Sequence, residues 1–244
     1  MYHFFVEPHQ IGAEEIRIEG SDVNHIRNVL RMKPGEEILI SSREGGDYFC
    51  RVEELEPEYV SAKILEEWEN KELPARIHLF QGLPKGDKME LIIQKAVELG
   101  AYRVVPVSMK RSVVKLDAKK ADAKRKRWNA VSESAAKQSK RSLIPEVAPL
   151  MTYKEAVKEA AGYDMVLLPY ESADGIRKTR ELLASVKPGT DIAVFIGPEG
   201  GFDLDELELA KEAGCEIITL GKRILRTETA GMMLLSVLMY HLEQ

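Results

Sequence analysis

The sequence predicts an α/β protein in two parts: a small β-rich unit over residues 1–72, then a parallel α/β sheet over residues 73–244. Three observations carry this. Short β-branched and aromatic runs, separated by turn residues, fill the first part. From residue 73 onward strand-like and helix-like patterns alternate, the order of a parallel sheet with crossover helices. Between them lies a polar run, EEWENKELP (66–74), with linker composition.

In the first part, residues 4–6 and 15–18 have strand composition. Ser21 reads as the N-cap of a helix that turns Val23, Ile26, Val29 and Leu30 inward. Lys33-Pro34-Gly35 ends it. Residues 38–40, 48–52 and 60–65 read as strands, with Glu44-Gly45-Gly46-Asp47 as a hairpin turn. In the second part, strands are expected at 77–80, 103–106, 165–168, 192–196 and 216–220. Helices are expected at 87–99, 124–139, 153–160, 176–183, 204–213 and 229–242. The last of these, AGMMLLSVLMYHL, is apolar on nearly every face, so it must be covered all round. Either it runs through the middle of its own domain or it packs on a second subunit.

Composition bounds the function. With 44% hydrophobic and 31% charged residues, 244 residues support a real core and a polar surface. No run is long enough to span a membrane, and the start MYHFFVEPH lacks the plan of a signal peptide, so a cytoplasmic protein is expected. Cys50 and Cys215 have no metal-ligand spacing. They read as buried thiols, with no zinc site, other metal or disulfide framework. A net charge of -5 does not mark a nucleic-acid binder, but residues 110–141 hold 12 bases and 3 acids. RNA binding would therefore use local patches.

The most informative stretches are FIGPEGGFDLDE (195–206) and LGKRILRTETA (220–230). Each runs strand, glycine, loop, helix, and two such turns close in sequence suggest one pocket at the C-terminal edge of a parallel sheet. The glycines allow a sharp turn and a close approach to the main chain. Asp203 and Glu206 have the spacing of a capping box. Glu199, Asp203, Asp205 and Glu206 crowd a position where phosphate would otherwise bind, and neither G-x-G-x-x-G nor a P-loop is present. A nucleoside without phosphate, such as S-adenosylmethionine (AdoMet), fits this pattern. The glycines alone are equally those of an ordinary β–α turn; the paired second loop favours a site.

These stretches, together with LPKGDKMELIIQKAVELGA (83–101), RSVVKLD (111–117), and QSKR (138–141) followed by Pro145 and Glu146, resemble the RsmE family of the SPOUT class. That family methylates N3 of one uridine in 16S ribosomal RNA. The resemblance implies a PUA-like, RNA-binding barrel over 1–72 and a SPOUT methyltransferase domain over 73–244. It also implies a C-terminal trefoil knot whose loops hold AdoMet, and a homodimer acting on 16S rRNA or the small ribosomal subunit. Lys137 departs from the pattern, which has an acid there.

Carried over residue by residue, the resemblance assigns the cofactor to three loops: Leu168 and Pro169; Ile196, Gly197, Glu199, Gly200 and Gly201; and Leu220, Gly221, Ile224, Leu225 and Arg226. For Leu168 and Leu220 strand-end core is the alternative. Methyl transfer to N3 must expel a proton and place negative charge on the ring carbonyls, which calls for a fixed cation and a proton route. Arg226 is the electrostatic candidate. Glu199 and Glu228 are candidates for the proton, or for ordering the loop through an ion pair or a helix N-terminus. For RNA the candidates are Arg27 and Arg31, spaced i,i+4 on one helix; Lys85 and Lys88 around Gly86; and Arg111 and Arg141. The run KKADAKRKRW (119–128) reads equally as a solvated basic face.

Three other functions compete. A SPOUT ribose 2′-O-methyltransferase is opposed by LRTET and the N-terminal unit. A nucleotide-dependent oxidoreductase is opposed by the acid-crowded glycine loop. A non-catalytic RNA-binding or ribosome-assembly protein would bind RNA without AdoMet.

Overall fold

The computed structural model describes residues 1–43, 45–171 and 175–243. Glu44, the first residue of the expected hairpin turn, lies outside them. The chain divides into two compact units, Met1–Glu72 with Ala136–Ile144, and Leu73–Ala135 with Pro145–Gln244.

In the first unit, β1 (Tyr2–Val6), β2 (Glu15–Glu19), β3 (Glu37–Ser42), β4 (Asp47–Leu55) and β5 (Tyr59–Trp68) form one sheet in the order β1-β3-β4-β5-β2. β1 and β3 pair in parallel, and the other neighbours are antiparallel. Alternation puts Ile16, Ile18, Ile38, Ile40, Val52 and Val60 inside, each at most 1% exposed. β5 runs three residues past its expected end, so Glu66, Glu67 and Trp68 belong to the strand, where Trp68 packs on Phe49 with ring centroids 5.4 Å apart.

The helix of this unit departs from expectation. Gly20, with φ 76°, takes the N-cap position, and Ser21 is the first residue of α1 (Ser21–Asn24). The next turn, His25–Val29, is π-helical. Its wider turn rotates the following residues, so Val23 and Ile26 are buried while Val29 is 61% exposed rather than inward. Arg31 then sits past the helix with φ 54°.

Two polar groupings lie inside this unit. His3 Nε2 is 2.8 Å from Ser41 Oγ, and Ser41 also bonds Asp47. Burial, then the nearby charges of Lys137, Lys71 and Lys140, pushes His3 down to about 4. Arg141 meets Glu72, with Nε 3.2 and 3.1 Å from the two carboxylate oxygens. Glu72 also accepts the N–H groups of Ser142 and Leu143, which ties the segment Ala136–Ile144 into the unit.

The second unit holds β6 (Arg76–Gly82), α2 (Lys88–Glu98), β7 (Ala101–Ser108), α3 (Ala118–Ser139), β8 (Glu146–Val147), β9 (Met151–Thr152), α4 (Tyr153–Ala160), β10 (Met165–Pro169), α5 (Ile176–Ala184), β11 (Asp191–Ile196), α6 (Leu204–Glu212), β12 (Glu216–Ile218) and α7 (Thr227–Leu242). The end of α3, from Ala136, groups with the first unit. Every pairing is parallel, in the order β12-β10-β11-β6-β7-β8, with β9 also on β7. α3 starts six residues before its expected position, and β12 ends at Ile218 rather than 220. The two-residue strands β8 and β9 are too short to leave a periodicity. Apolar runs fill both faces of the central strands, as a covered parallel sheet requires. Phe80 of β6 stacks on Phe195 of β11, centroids 4.7 Å apart.

β12 lies at one edge of the sheet, yet α7 packs against α2 and β11. Residues 219–226 must therefore cross the C-terminal end of β10. Leu234, Leu235 and Leu238 of α7 are at most 1% exposed within this unit, whereas Met233, Val237 and Tyr240 are 36%, 40% and 73% exposed. Part of the apolar surface of this helix thus serves its own core, and a strip at i, i+4, i+7 faces outward. No described helix is long and apolar enough to cross a membrane. Burial raises the Cys50 and Cys215 thiols to about 12 and about 11, which keeps both protonated and unreactive.

Candidate active site

The two glycine loops meet at the C-terminal ends of β10 and β11. The first begins where β11 releases the chain at Gly197. A Cβ on Gly197 would lie 3.2 Å from Phe202 and 3.3 Å from the Gly201 backbone, so this glycine makes room inside the loop itself. A Cβ on Gly200 would lie 2.9 Å from Arg111 Cβ. Arg111 runs along that side, its Nη1 donating to the Gly200 carbonyl at 3.2 Å. Gly82, which ends β6, approaches the loop from the other side. A Cβ there would lie 2.7 Å from Pro198 Cδ and N.

The acids of the first loop are not a free negative surface. Asp203 N–H donates to Glu206 Oε2 at 2.9 Å, the expected capping box at the start of α6. Lys110 N–H donates to Glu206 Oε1 at 2.8 Å, and Lys110 Nζ reaches Asp203 at 2.6 Å and Asp205 at 2.9 Å. Arg111 Nε lies 3.3 Å from Asp203. The Lys110 hydrogen bond, against some burial, holds the Asp203 carboxyl below the usual range. The acids that crowd this loop in sequence are thus met by Lys88, Lys110 and Arg111, which are distant in sequence.

Glu199 and Glu228 meet at one ammonium. Lys88 Nζ is 3.0 Å from Glu199 and 3.4 Å from Glu228, and Lys85 N–H donates to Glu199 at 3.1 Å. Burial works to raise the Glu199 carboxyl, but hydrogen bonds from Lys88 and Lys85 outweigh it and hold the group below its ordinary value. Lys88 is correspondingly raised, chiefly by Glu199. Lys88 is therefore engaged by two carboxylates, rather than being a free cation beside Gly86 as expected.

The second loop delivers Arg226, the N-cap residue of α7, and then Thr227. Thr227 Oγ1 donates to the Gly197 carbonyl at 2.6 Å and accepts from Gln81 Nε2 at 2.9 Å. Arg226 is exposed and has no acidic partner among the described residues.

Between the loops lies a cleft of about 510 Å³. Of the residues assigned from sequence, Pro169, Ile196, Gly197, Glu199, Gly200, Gly201, Ile224, Leu225 and Arg226 line it, together with Lys88 and Arg111. Leu220 and Gly221 line a smaller adjoining recess of about 120 Å³. Leu168 does not line either: it is fully buried in the core beside Phe80 and Phe195. Glu228 lies just outside the lining, at Lys88. Tyr170, Glu171, Phe202 and Thr227 also line the cleft and were not foreseen.

The RNA candidates scatter. Arg27 and Arg31 are not on one helix face, since Arg31 has left the helix. Arg141 is 6% exposed and paired with Glu72, so it is a buried ion pair and not a surface contact. Lys85 is exposed. Of the basic run, Arg127 pairs with Glu90 at 2.8 Å and Lys126 with Asp122 at 3.1 Å, as on a solvated face. Lys137 pairs with Asp22 at 3.2 Å. Among the described residues no group of three His, Cys, Asp or Glu is placed to hold a metal.

Comparison with known proteins decides the family. Residues 71–239 match the RNA methyltransferase domain family, and residues 18–65 match the RNA methyltransferase PUA domain. The ribosomal RNA small subunit methyltransferase E of Bacillus subtilis is 38% identical over 251 residues, covering 100% of this chain and 98% of that one. The chain belongs to the ribosomal RNA small subunit methyltransferase E family. A solved member from Neisseria gonorrhoeae, bound to S-adenosyl methionine, superposes with a TM-score of 0.81 at 33% identity, covering 97% of this chain and 96% of that one. A methyltransferase of Legionella pneumophila, solved with its bound cofactor SAM, gives the same TM-score and coverages at 30% identity. The five-stranded sheet is thus the PUA-like part of a methyltransferase E, and the parallel sheet is its methyltransferase part.

Proposed function

We propose that this chain transfers a methyl group from AdoMet to N3 of a uridine in 16S ribosomal RNA. The observation that carries the reading is the cleft where the two glycine loops meet, with exposed Arg226 at its edge. Its lining suits AdoMet. Pro169, Ile196, Ile224 and Leu225 offer apolar surface to adenine, and Gly197, Gly200 and Gly201 put no side chain of their own between the loop backbone and the cleft. Bound there, AdoMet supplies a methyl carried on sulfonium sulfur.

The chain's residues supply the rest. Arg226 faces the carbonyl charge that builds on the uracil ring as the N3 proton leaves. Glu199 and Glu228, shared by Lys88, order the loops, and the Glu199 carboxylate, held low, is a weak base. The N3 proton then passes to water. Residues 1–72 form the RNA-binding domain, with Arg27 and Arg31 on its surface and Lys85 and Arg111 beside the cleft of the domain over residues 73–244. The crossing of residues 219–226 over β10 supports the trefoil-knot reading, and the outward strip of α7 supports a homodimer. The enzyme works in the cytoplasm on 16S rRNA or the assembled small subunit.

The deciding experiment is methyl transfer from labelled AdoMet to unmodified small-subunit RNA and particles, with the product nucleoside identified by mass spectrometry. N3-methyluridine is expected. A 2′-O-methyl product, or AdoMet-independent RNA binding alone, would overturn the reading.

A further inference from the structure

Gln81 lies in the apolar strand β6 and is fully buried. Its amide nitrogen donates to the Gly82 carbonyl at 2.9 Å and to Thr227 Oγ1 at 2.9 Å. Thr227, itself 6% exposed, donates its one hydroxyl proton to the Gly197 carbonyl at 2.6 Å. The directions are fixed by the inventory of protons. A flipped Gln81 would set its oxygen against the Gly82 carbonyl, and would claim the threonine proton that Gly197 needs. The unflipped amide leaves Gln81 Oε1 buried without a hydrogen-bond partner among the described residues.

The chain of bonds joins three segments far apart in sequence: the end of β6, the exit of β11 and the first turn of α7. The last two are the walls of the cleft, and Thr227 follows Arg226 directly. We infer that Gln81 is a positioning residue for methyl transfer, acting through Thr227 to fix the spacing between the Gly197 loop and Arg226. This rests on the function proposed above and names a residue outside the cleft lining as a determinant of its geometry.

The test uses the full chain with Gln81→Leu, Thr227→Val, Thr227→Ser and the double variant Gln81→Leu/Thr227→Val. AdoMet affinity is read by calorimetry, and methyl transfer by steady-state and single-turnover kinetics. Gln81→Leu and Thr227→Val should each lower the single-turnover rate or AdoMet affinity about tenfold or more. The loss should fall more on kcat than on the KM for RNA. The double variant should lose less than the sum of the two single losses, because both changes remove the one bond between Gln81 and Thr227. Thr227→Ser keeps the hydroxyl and should stay within about threefold of wild type. Wild-type behaviour of Thr227→Val, additive losses in the double variant, or a Thr227→Ser as poor as Thr227→Val would overturn the inference. If Gln81→Leu does not fold, Gln81→Met carries the same comparison. A wild type that binds no AdoMet would instead overturn the proposed function. The Gln81–Thr227 coupling would then be decided by the same double-variant cycle read in stability.

Discussion

Arg141 and Glu72, 69 positions apart, form an ion pair inside the first unit, with side chains only 7% and 14% exposed. A guanidinium there is satisfied by a forked carboxylate and is not available to a phosphate. Removing one partner strands the other charge away from water. Arg141→Met should therefore lower stability by about 3–5 kcal/mol, and Arg141→Met/Glu72→Leu should recover part of that loss. Urea denaturation of the full chain measures both. Unchanged stability with weakened RNA binding would return Arg141 to the RNA contacts.

His3 should give this protein an acid-sensitive limb. Its folded form protonates near 4, against an ordinary value of 6.5, because burial and three lysines disfavour the cation. Between those values the unfolded chain takes up a proton that the folded chain refuses. The stabilisation is therefore complete above 6.5 and is lost as pH falls towards 4, by about 3 kcal/mol. Stability measured against pH should show this loss in wild type and a smaller one in His3→Gln. Identical slopes would remove His3 from the account.

Arg226 should serve the chemical step more than binding. Arg226→Ala is expected to keep AdoMet and RNA affinity within about threefold while turnover falls about a hundred- to a thousandfold. Single-turnover rates at saturating substrates separate the two. A preserved rate with weakened affinity would move Arg226 to the binding residues.

The two faces of α7 predict different phenotypes. Leu238→Glu places a charge in a fully buried position and should prevent folding. Wild type should sediment as a dimer, and Val237→Glu, on the exposed strip, should fold normally yet sediment as a monomer. A wild type that is monomeric at micromolar concentration and fully active would rule out the dimer.

Much of this architecture was legible in the residues. The strand–helix alternation after residue 73 has strong periodicity, and every long element fell near its expected place. The glycine loops could be read because chain reversal and close approach restrict residue choice. What could not be read was pairing across the fold. No local pattern joins Lys88 to Glu199, Lys110 to Asp203 or Arg141 to Glu72, so acids and bases that neutralise one another looked like separate patches. Val29 was misplaced because a π-helical turn breaks the 3.6-residue rhythm on which inward faces are assigned. Gln81 did leave a signal, a lone amide within the apolar run IHLFQG, which a search for polar residues in buried strands would have found.

Gly82 and Pro198 touch so closely that neither can drift independently. Any side chain at 82 needs the loop at 198 to move, and that loop is anchored by Arg111 through Gly200. Alanine at position 82, a small change by most measures, should be tolerated only where other changes have already shifted the loop backbone at 198. The constraint is epistatic: it orders the mutations by which this cleft can evolve, and isolates the glycine loop from gradual remodelling one residue at a time.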